Sequence, residues 1–503
     1  MNVLVYFASG NLGGNLNEQH IDMIIEEQKK GNHVVALKCD ETVGLCMSNS
    51  EKSKMYCSFC KYVVRRDFHR MMPLGVEQHW MKEFTSQIDE SHVPSFDYKT
   101  AEELRMIEYK GVQVGMGVMS TYISLTRNMN PSITLKSKRY FDALIKEQIV
   151  TLKVLEKLQS IYHFELVIFQ NGRGAQLRPF LNFCQREKID FWCTEDFLKS
   201  YNYVNNFWND YAHSMRAYFK KYQECWTTSN ESEEKKIETA EMFFNNRRNA
   251  IPAGDKVYVK AQTTGLLPKD WDDTKENIVI FNSSEDEFCA VSKEWDVLKL
   301  FKTQMEGIKS IVEHYKNDPT KHFTLRVHPN LKDVPYKYHR DLYKLHYDNL
   351  TVIPGWDKVS TYTLLDVADK VVVFGSTMGI EAAYWKKPVI LLGPSFYYGF
   401  NVSYNPKTQE ELWSLIETKG LQNKYNDMVL KYGYFYMSKN HERTKNVPID
   451  LYIKTIKGRR LICSTDKKIF GSNFLYAAIA RLLWAKPIRK ITAVFKDIEF
   501  EEA

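Results

Sequence analysis

The chain has no uninterrupted apolar segment long enough to cross a bilayer, which excludes a helical transmembrane anchor within it. Its opening residues, Met1-Asn2-Val3-Leu4-Val5-Tyr6-Phe7, read as a strand and lack the basic n-region and cleavage site of a signal peptide. A cytoplasmic protein is therefore expected, one that at most touches the cytoplasmic face of the inner membrane. The glycines after that strand do not form a dinucleotide fingerprint. No Asp-x-Asp stands at an expected strand end, so catalysis should need no metal or other cofactor. Strong charge is also missing. A formal net charge of +7 over 503 residues is too diffuse to argue for nucleic acid, though it suits an anionic ligand or an anionic membrane surface.

What is present describes a globular chain. Hydrophobic residues make up 44% and charged residues 26%, at a length that accommodates two domains. Aromatics reach 14%, enough for large buried contacts or sugar-stacking surfaces.

The chain is organised around residues 370–395, KVVVFGSTMGIEAAYWKKPVILLGPS. Val371, Val372, Val373 and Phe374 read as a strand buried on both faces. Gly375-Ser376-Thr377-Met378-Gly379 permits a tight turn, with hydroxyls where a helix begins. A short helix and a second apolar strand, 389–392, follow. Such a unit belongs to a parallel sheet, which binds ligands beyond the carboxyl ends of its strands. Ser376 and Thr377 would suit a phosphate, and Glu381 would meet a sugar hydroxyl. The plainer alternative is a βαβ unit whose hydroxyls only cap a helix. Upstream, HFTLRVHPN at 322–330 reads as a strand ending in Arg326-Val327-His328-Pro329. Proline fixes the backbone there and projects the imidazole from the strand end.

Arg326-Val327-His328-Pro329, Gly375-Ser376-Thr377, Glu381-Ala382-Ala383 and Lys387-Pro388-Val389-Ile390 resemble bacterial glycosyltransferases of capsule and lipopolysaccharide assembly. The resemblance spans residues 278–394 and departs at Ser376-Thr377, where that family carries paired serines. It implies an α/β fold of two Rossmann-like domains facing a cleft (GT-B) and an inverting transfer. A nucleotide-sugar donor is implied too, with CMP-sugars such as Kdo or sialic types favoured and UDP or GDP open. In such a cleft Arg326 and His328 would neutralise the leaving phosphate. Ser376 and Thr377, at the turn that includes Gly379, would bind it, and Glu381 would orient the donor. Ser283, Ser284 and Glu285 follow the strand at 278–281 and would reach the donor from beside it, unless they only cap the loop.

The first half opens like a Rossmann domain. Gly13 and Gly14 lie in a glycine-rich loop that suits the mouth of a cleft. Glu18, His20 and Asp22 follow on a helix and are the proton acceptors at hand for an acceptor hydroxyl, although each also reads as a solvated surface residue. Asn171-Gly172-Arg173, after the strand at 165–169, and Arg178 beyond it would hold an acidic acceptor or the donor phosphate. Residues 77–80 read as helical, 112–120 as a strand, and 137–162 as one long amphipathic helix.

Four of the nine cysteines, Cys39, Cys46, Cys57 and Cys60, fall in one basic segment, the last two as Cys-x-x-Cys. A cytosolic chain rarely keeps disulfides. The sharper expectation is a structural zinc on four thiolates whose pKa values the neighbouring lysines and arginines lower; the other is buried free thiols.

The expected domains are an acceptor domain over 1–265, with a helical insertion at 201–249, and a nucleotide-sugar domain over 278–460. A C-terminal segment over 466–503, with a helix at 473–484, is expected to cross back to the first. Its basic end would meet lipid headgroups. The partners are then a nucleotide-sugar donor and a glycan or glycolipid acceptor. Two other functions fit the same architecture: a sugar-nucleotide epimerase or isomerase, which needs no acceptor, and a non-catalytic nucleotide-sugar binder.

Overall fold

The computed structural model describes residues 1–8, 16–86, 88, 93–197, 203–251, 258–438, 445, 451–456, 459–464 and 491–495. The chain divides into two units, Met1–Ala212 with His441–Ala503, and His213–Asn440. Each is α/β and built on a mainly parallel sheet.

In the first unit six strands run in the order β3-β2-β1-β4-β5-β6. These are β1 Asn2–Phe7, β2 His33–Lys38, β3 Glu77–Trp80, β4 Leu166–Gln170, β5 Asp190–Phe197 and β6 Tyr203–Trp208. All neighbours are parallel except β5 and β6. This is the Rossmann order, which reverses direction between β1 and β4. Val3, Val5 and Phe7 share a core with Ile21 and Ile24 of the helix Leu16–Lys29. Burying each such side chain contributes roughly 1.5–3 kcal/mol.

Residues 77–80 form a strand, not a helix, because they add to the sheet edge with Glu77 opposite Val35. Residues 112–120 are not a strand but fall largely in the helix Val114–Thr126. Gly115 lets that helix lie against Ala101–Arg105, since a Cβ there would stand 1.8 Å from the Leu104 carbonyl oxygen. The long helix is present as Leu135–Tyr162, opened by a Thr134/Ser137 capping box. Residues 451–456 and 459–464 form an antiparallel ladder. The helix expected at 473–484 lies outside the described residues.

The second unit has five strands, β7 Glu276–Phe281, β8 Lys321–Arg326, β9 Leu350–Ile353, β10 Lys370–Val373 and β11 Val389–Leu391. They are all parallel, in the order β11-β10-β7-β8-β9, with the reversal between β7 and β10. The helices Met215–Thr227 and Glu233–Arg248 belong to this unit and do not insert into the first. Their aromatic faces explain the earlier boundary. Tyr222 is fully buried against Phe400, Tyr432 and Phe435, and Phe243 packs on Tyr432, around the helix Met428–Met437. Among the described residues no helix is long and apolar enough to cross a membrane.

Candidate active site

At the reversal point of the second sheet a pocket opens beyond the carboxyl ends of the strands. Its wall includes Asn282 after β7, Arg326 and His328 at the end of β8, and Ser376 and Thr377 after β10. The two sequence stretches singled out for donor binding thus meet in one place.

His328 is fixed from both sides. Its backbone N–H donates to Asn282 Oδ1 at 2.8 Å, and its Nδ1 accepts the Asn330 N–H at 3.1 Å. A neutral ring that accepts at Nδ1 carries its proton on Nε2, so the imidazole is a donor on its other edge. The Tyr258 ring stands edge-on at 5.1 Å.

The turn after β10 depends on two glycines. Gly375 has φ +101°, and a Cβ there would fall 2.4 Å from the Pro394 carbonyl oxygen. A Cβ on Gly379 would fall 2.2 Å from the Tyr397 hydroxyl, which donates to the Ser376 carbonyl at 2.5 Å. Gly379 therefore makes room for Tyr397 and is not part of the pocket wall. Ser376 Oγ accepts the Met378 N–H at 3.3 Å, and Thr377 Oγ1 accepts from Arg247 at 3.2 Å. Each hydroxyl keeps its own proton to donate.

Five residues expected to contact the donor have partners within the protein. Glu381 is fully buried, with Oε1 accepting from Arg247 Nε at 3.0 Å and Oε2 from the Tyr362 hydroxyl at 2.5 Å. Both oxygens are thus engaged within the protein. Arg326 donates to the Pro354 and Asp357 carbonyls at 2.6 and 3.2 Å and so braces the loop after β9. Burial pushes it down to about 10, which leaves it charged at neutral pH, and its Nε has no hydrogen-bond partner. The polar loop after β7 is structural. Ser283 donates to the Phe374 carbonyl at 3.1 Å and accepts from Gln304 at 2.7 Å, while Ser284 accepts from Asn330 at 3.1 Å. Glu285 accepts the Gln304 N–H at 3.2 Å at the start of the helix Gln304–His314, and burial pushes its carboxyl up to about 7. All three are engaged within the protein.

Arg247, Tyr362 and Tyr258 also line the pocket and were not singled out from sequence. The only available signal was Arg247-Arg248 at the end of a helix carrying Phe243-Phe244.

In the first unit the expected bases turn inward. His20 is 2% exposed, its Nε2 lies 2.8 Å from Thr194 Oγ1, and burial pushes it down to about 4. It is a core histidine. Asp22 is buried and accepts the Lys445 N–H with both oxygens, at 3.1 and 3.0 Å. Gly13, Gly14 and the side chain of Glu18 lie outside the described residues. After β4, Asn171 adopts φ 56° and its Oδ1 accepts the Arg173 N–H at 3.0 Å. Arg173 donates to Ser120 Oγ at 2.8 Å. Arg178 is buried, donates to the Arg173 carbonyl at 2.9 Å, and is pushed down to about 9 by burial. It braces the turn from within.

The cysteine segment also differs from expectation. Cys39, Cys46, Cys57 and Cys60 form no disulfide, and burial pushes Cys39 and Cys46 well up and Cys57 up to about 11, with the neighbouring thiols adding to the rise. Nearby lysines do not reverse this, because Lys52 pairs with Glu147 at 2.7 Å and Lys61 with Glu41 at 3.1 Å. Among the described residues no three His, Cys, Asp or Glu side chains are grouped to hold a metal ion. The four thiols are thus not grouped as a four-thiolate zinc centre requires.

Residues 298–432 match the family model for capsule polysaccharide biosynthesis proteins. Among curated proteins no sequence matches the chain. Of solved structures, the β-Kdo 2,4-transferase KpsC of Thermosulfurimonas dismutans is similar at 14% identity, over 63% of this chain and 87% of that one, with a TM-score of 0.34. The β-Kdo 2,7-transferase KpsC of the same organism is similar at 17% identity, over 68% and 97%, with a TM-score of 0.30. The UDP-GlcNAc 2-epimerase of Methanocaldococcus jannaschii is similar at 13% identity, over 86% and 97%, with a TM-score of 0.25. The family model thus agrees with the resemblance read from sequence, over residues 298–432 of the second unit.

Proposed function

We propose that the protein is a glycosyltransferase of capsule polysaccharide assembly and that the pocket of its second unit binds the nucleotide-sugar donor. The observation that carries this is the chemistry of the pocket wall. The imidazole of His328 and the hydroxyls of Ser376 and Thr377 are hydrogen-bond donors, while the one carboxylate at the floor, Glu381, has both oxygens engaged. A wall rich in donors and poor in acceptors fits the phosphate of an activated sugar.

In the transfer, an acceptor hydroxyl attacks the anomeric carbon as the sugar–phosphate bond breaks. The bonding pair leaves with the phosphate oxygen. Donors aimed at that oxygen bind it more strongly as its charge grows, and this difference lowers the barrier. The hydroxyl proton passes to a base. Of the candidates read from sequence, His20 and Asp22 are engaged internally, and Glu18 is the one we propose. The displacement is inverting and uses no metal. The pairing of His-Pro with Ser-Thr favours a CMP-activated sugar of the Kdo or sialic type, and the acceptor is a surface polysaccharide or lipopolysaccharide at the cytoplasmic face of the membrane.

Kinetics of variants test these roles. His328→Ala should lower kcat with the true donor by about 10²–10³-fold, the usual effect of losing one donor to a developing anion. Full activity in that variant would remove His328 from the reaction. Glu18→Gln should abolish turnover while donor binding persists, and unchanged turnover would remove Glu18.

A further inference from the structure

We infer that Arg247 is the guanidinium that reads the donor's phosphate, and that Glu381 and Tyr362 are positioning residues that aim it without touching the ligand. This rests on the donor-pocket reading and adds a residue outside the segment matched to the family, 298–432.

Arg247 sits in the last turn of the helix Glu233–Arg248, and that helix end is held rigidly. Phe244 stacks on Tyr384 with ring centroids 4.0 Å apart and planes at 5°. Arg248 pairs with Asp366 and lies 4.6 Å over the Trp385 ring. Phe243 supports the Arg247 guanidinium from beneath at 5.3 Å. The helix therefore delivers Arg247 to the pocket at a fixed height.

Its orientation comes from Glu381. Arg247 Nε donates to Glu381 Oε1 at 3.0 Å, and a terminal nitrogen donates to Thr377 Oγ1 at 3.2 Å, beside the Ser-Thr turn. Tyr362 donates to the other Glu381 oxygen at 2.5 Å. The Glu381 side chain has no exposed surface, whereas that of Arg247 is 15% exposed and lines the pocket. A fully buried carboxylate needs such partners, and here they turn it into a clamp that fixes the plane of the guanidinium. A planar fork of this kind suits two phosphate oxygens. Arg326, the other cation of the pocket, turns its terminal nitrogens to the Pro354 and Asp357 carbonyls. Its unpartnered Nε, in a buried guanidinium on the pocket wall, is a second donor awaiting an acceptor.

The ligand class is a 5′-phosphate ester of a nucleoside. Calorimetric titration of the full chain with CMP, UMP, GMP, the matching diphosphates and the bare nucleosides tests it. In the wild type the preferred nucleotide should bind about tenfold or more tighter than its nucleoside, the worth of one charge-assisted hydrogen bond, with the mono- and diphosphate arms separating the two sources of the anion. In Arg247→Met the two should bind nearly alike, with nucleoside affinity unchanged. Arg247→Lys, which keeps the buried charge paired, should keep the wild-type melting temperature yet lose most of the ratio, so a poorly folded Met variant still leaves a readout. Tyr362→Phe should give an intermediate ratio. A wild-type ratio in the Lys or Met variant overturns the role of Arg247 alone. No nucleotide binding to the wild type overturns the donor-pocket reading and this inference with it.

Discussion

His20 lies in the first unit's core, edge-on to Phe7 at 5.5 Å, and burial holds its pKa near 4 against an ordinary 6.5. The unfolded chain therefore takes up a proton on this residue at a higher pH than the folded one does. Stability should be full above about 6.5 and fall as pH drops toward 4, by up to about 3 kcal/mol. Thermal melts of wild type and His20→Gln at pH 7 and pH 5 check this. The wild type should lose more on acidification, and equal losses would contradict it. His328 has the opposite setting, anchored by hydrogen bonds at a strand end. Sequence separated the two only in part. Pro329 marked His328 as a projecting residue, but nothing flagged His20 as internal beyond its neighbours Ile21 and Ile24 on one helix face. Pairings between distant residues, such as Arg247 with Glu381, left no local trace at all.

The turn after β10 shows how an element is fixed by what its glycines allow. Gly379→Ala would force the new methyl into the Tyr397 hydroxyl, 2.2 Å away, and displace the bond to Ser376 that shapes the turn. A loss of about 1–3 kcal/mol is expected, as for overpacking elsewhere, read as a lower urea midpoint. An unchanged midpoint would mean the turn yields without cost. Phe243→Ala removes a buried ring shared by Phe244, Tyr432 and Tyr436, and should cost about 3–5 kcal/mol while also loosening Arg247. If stability fell but the nucleotide-to-nucleoside ratio stayed at the wild-type value, the helix would not position Arg247. The β-branched runs at 278–281, 371–373 and 389–391 were legible as strands because both their faces are buried. Residues 77–80 and 112–120 were not. A four-residue edge strand has too little pattern to show its period, and Gly115 and Gly117 hid a helix whose close packing requires them.

At the scale of the whole molecule, two Rossmann-like units were legible from the succession of strands and polar strand-end loops. Their boundary was not. The paired helices at 215–248 look like an insertion until Tyr222, Phe243 and Phe244 find Met428–Met437 and Tyr384, contacts separated by more than a hundred residues in sequence. The proposed activity is transfer of an activated sugar to a glycan acceptor. Its most direct test is product analysis of the full chain incubated with CMP-, UDP- and GDP-linked sugars, each with and without a capsule-type glycan acceptor. Predicted is release of free nucleotide with an acceptor extended by one sugar, for one donor, and only when the acceptor is present. Conversion of the donor into an isomeric nucleotide sugar without acceptor, or no turnover of any donor with acceptor supplied, would contradict it.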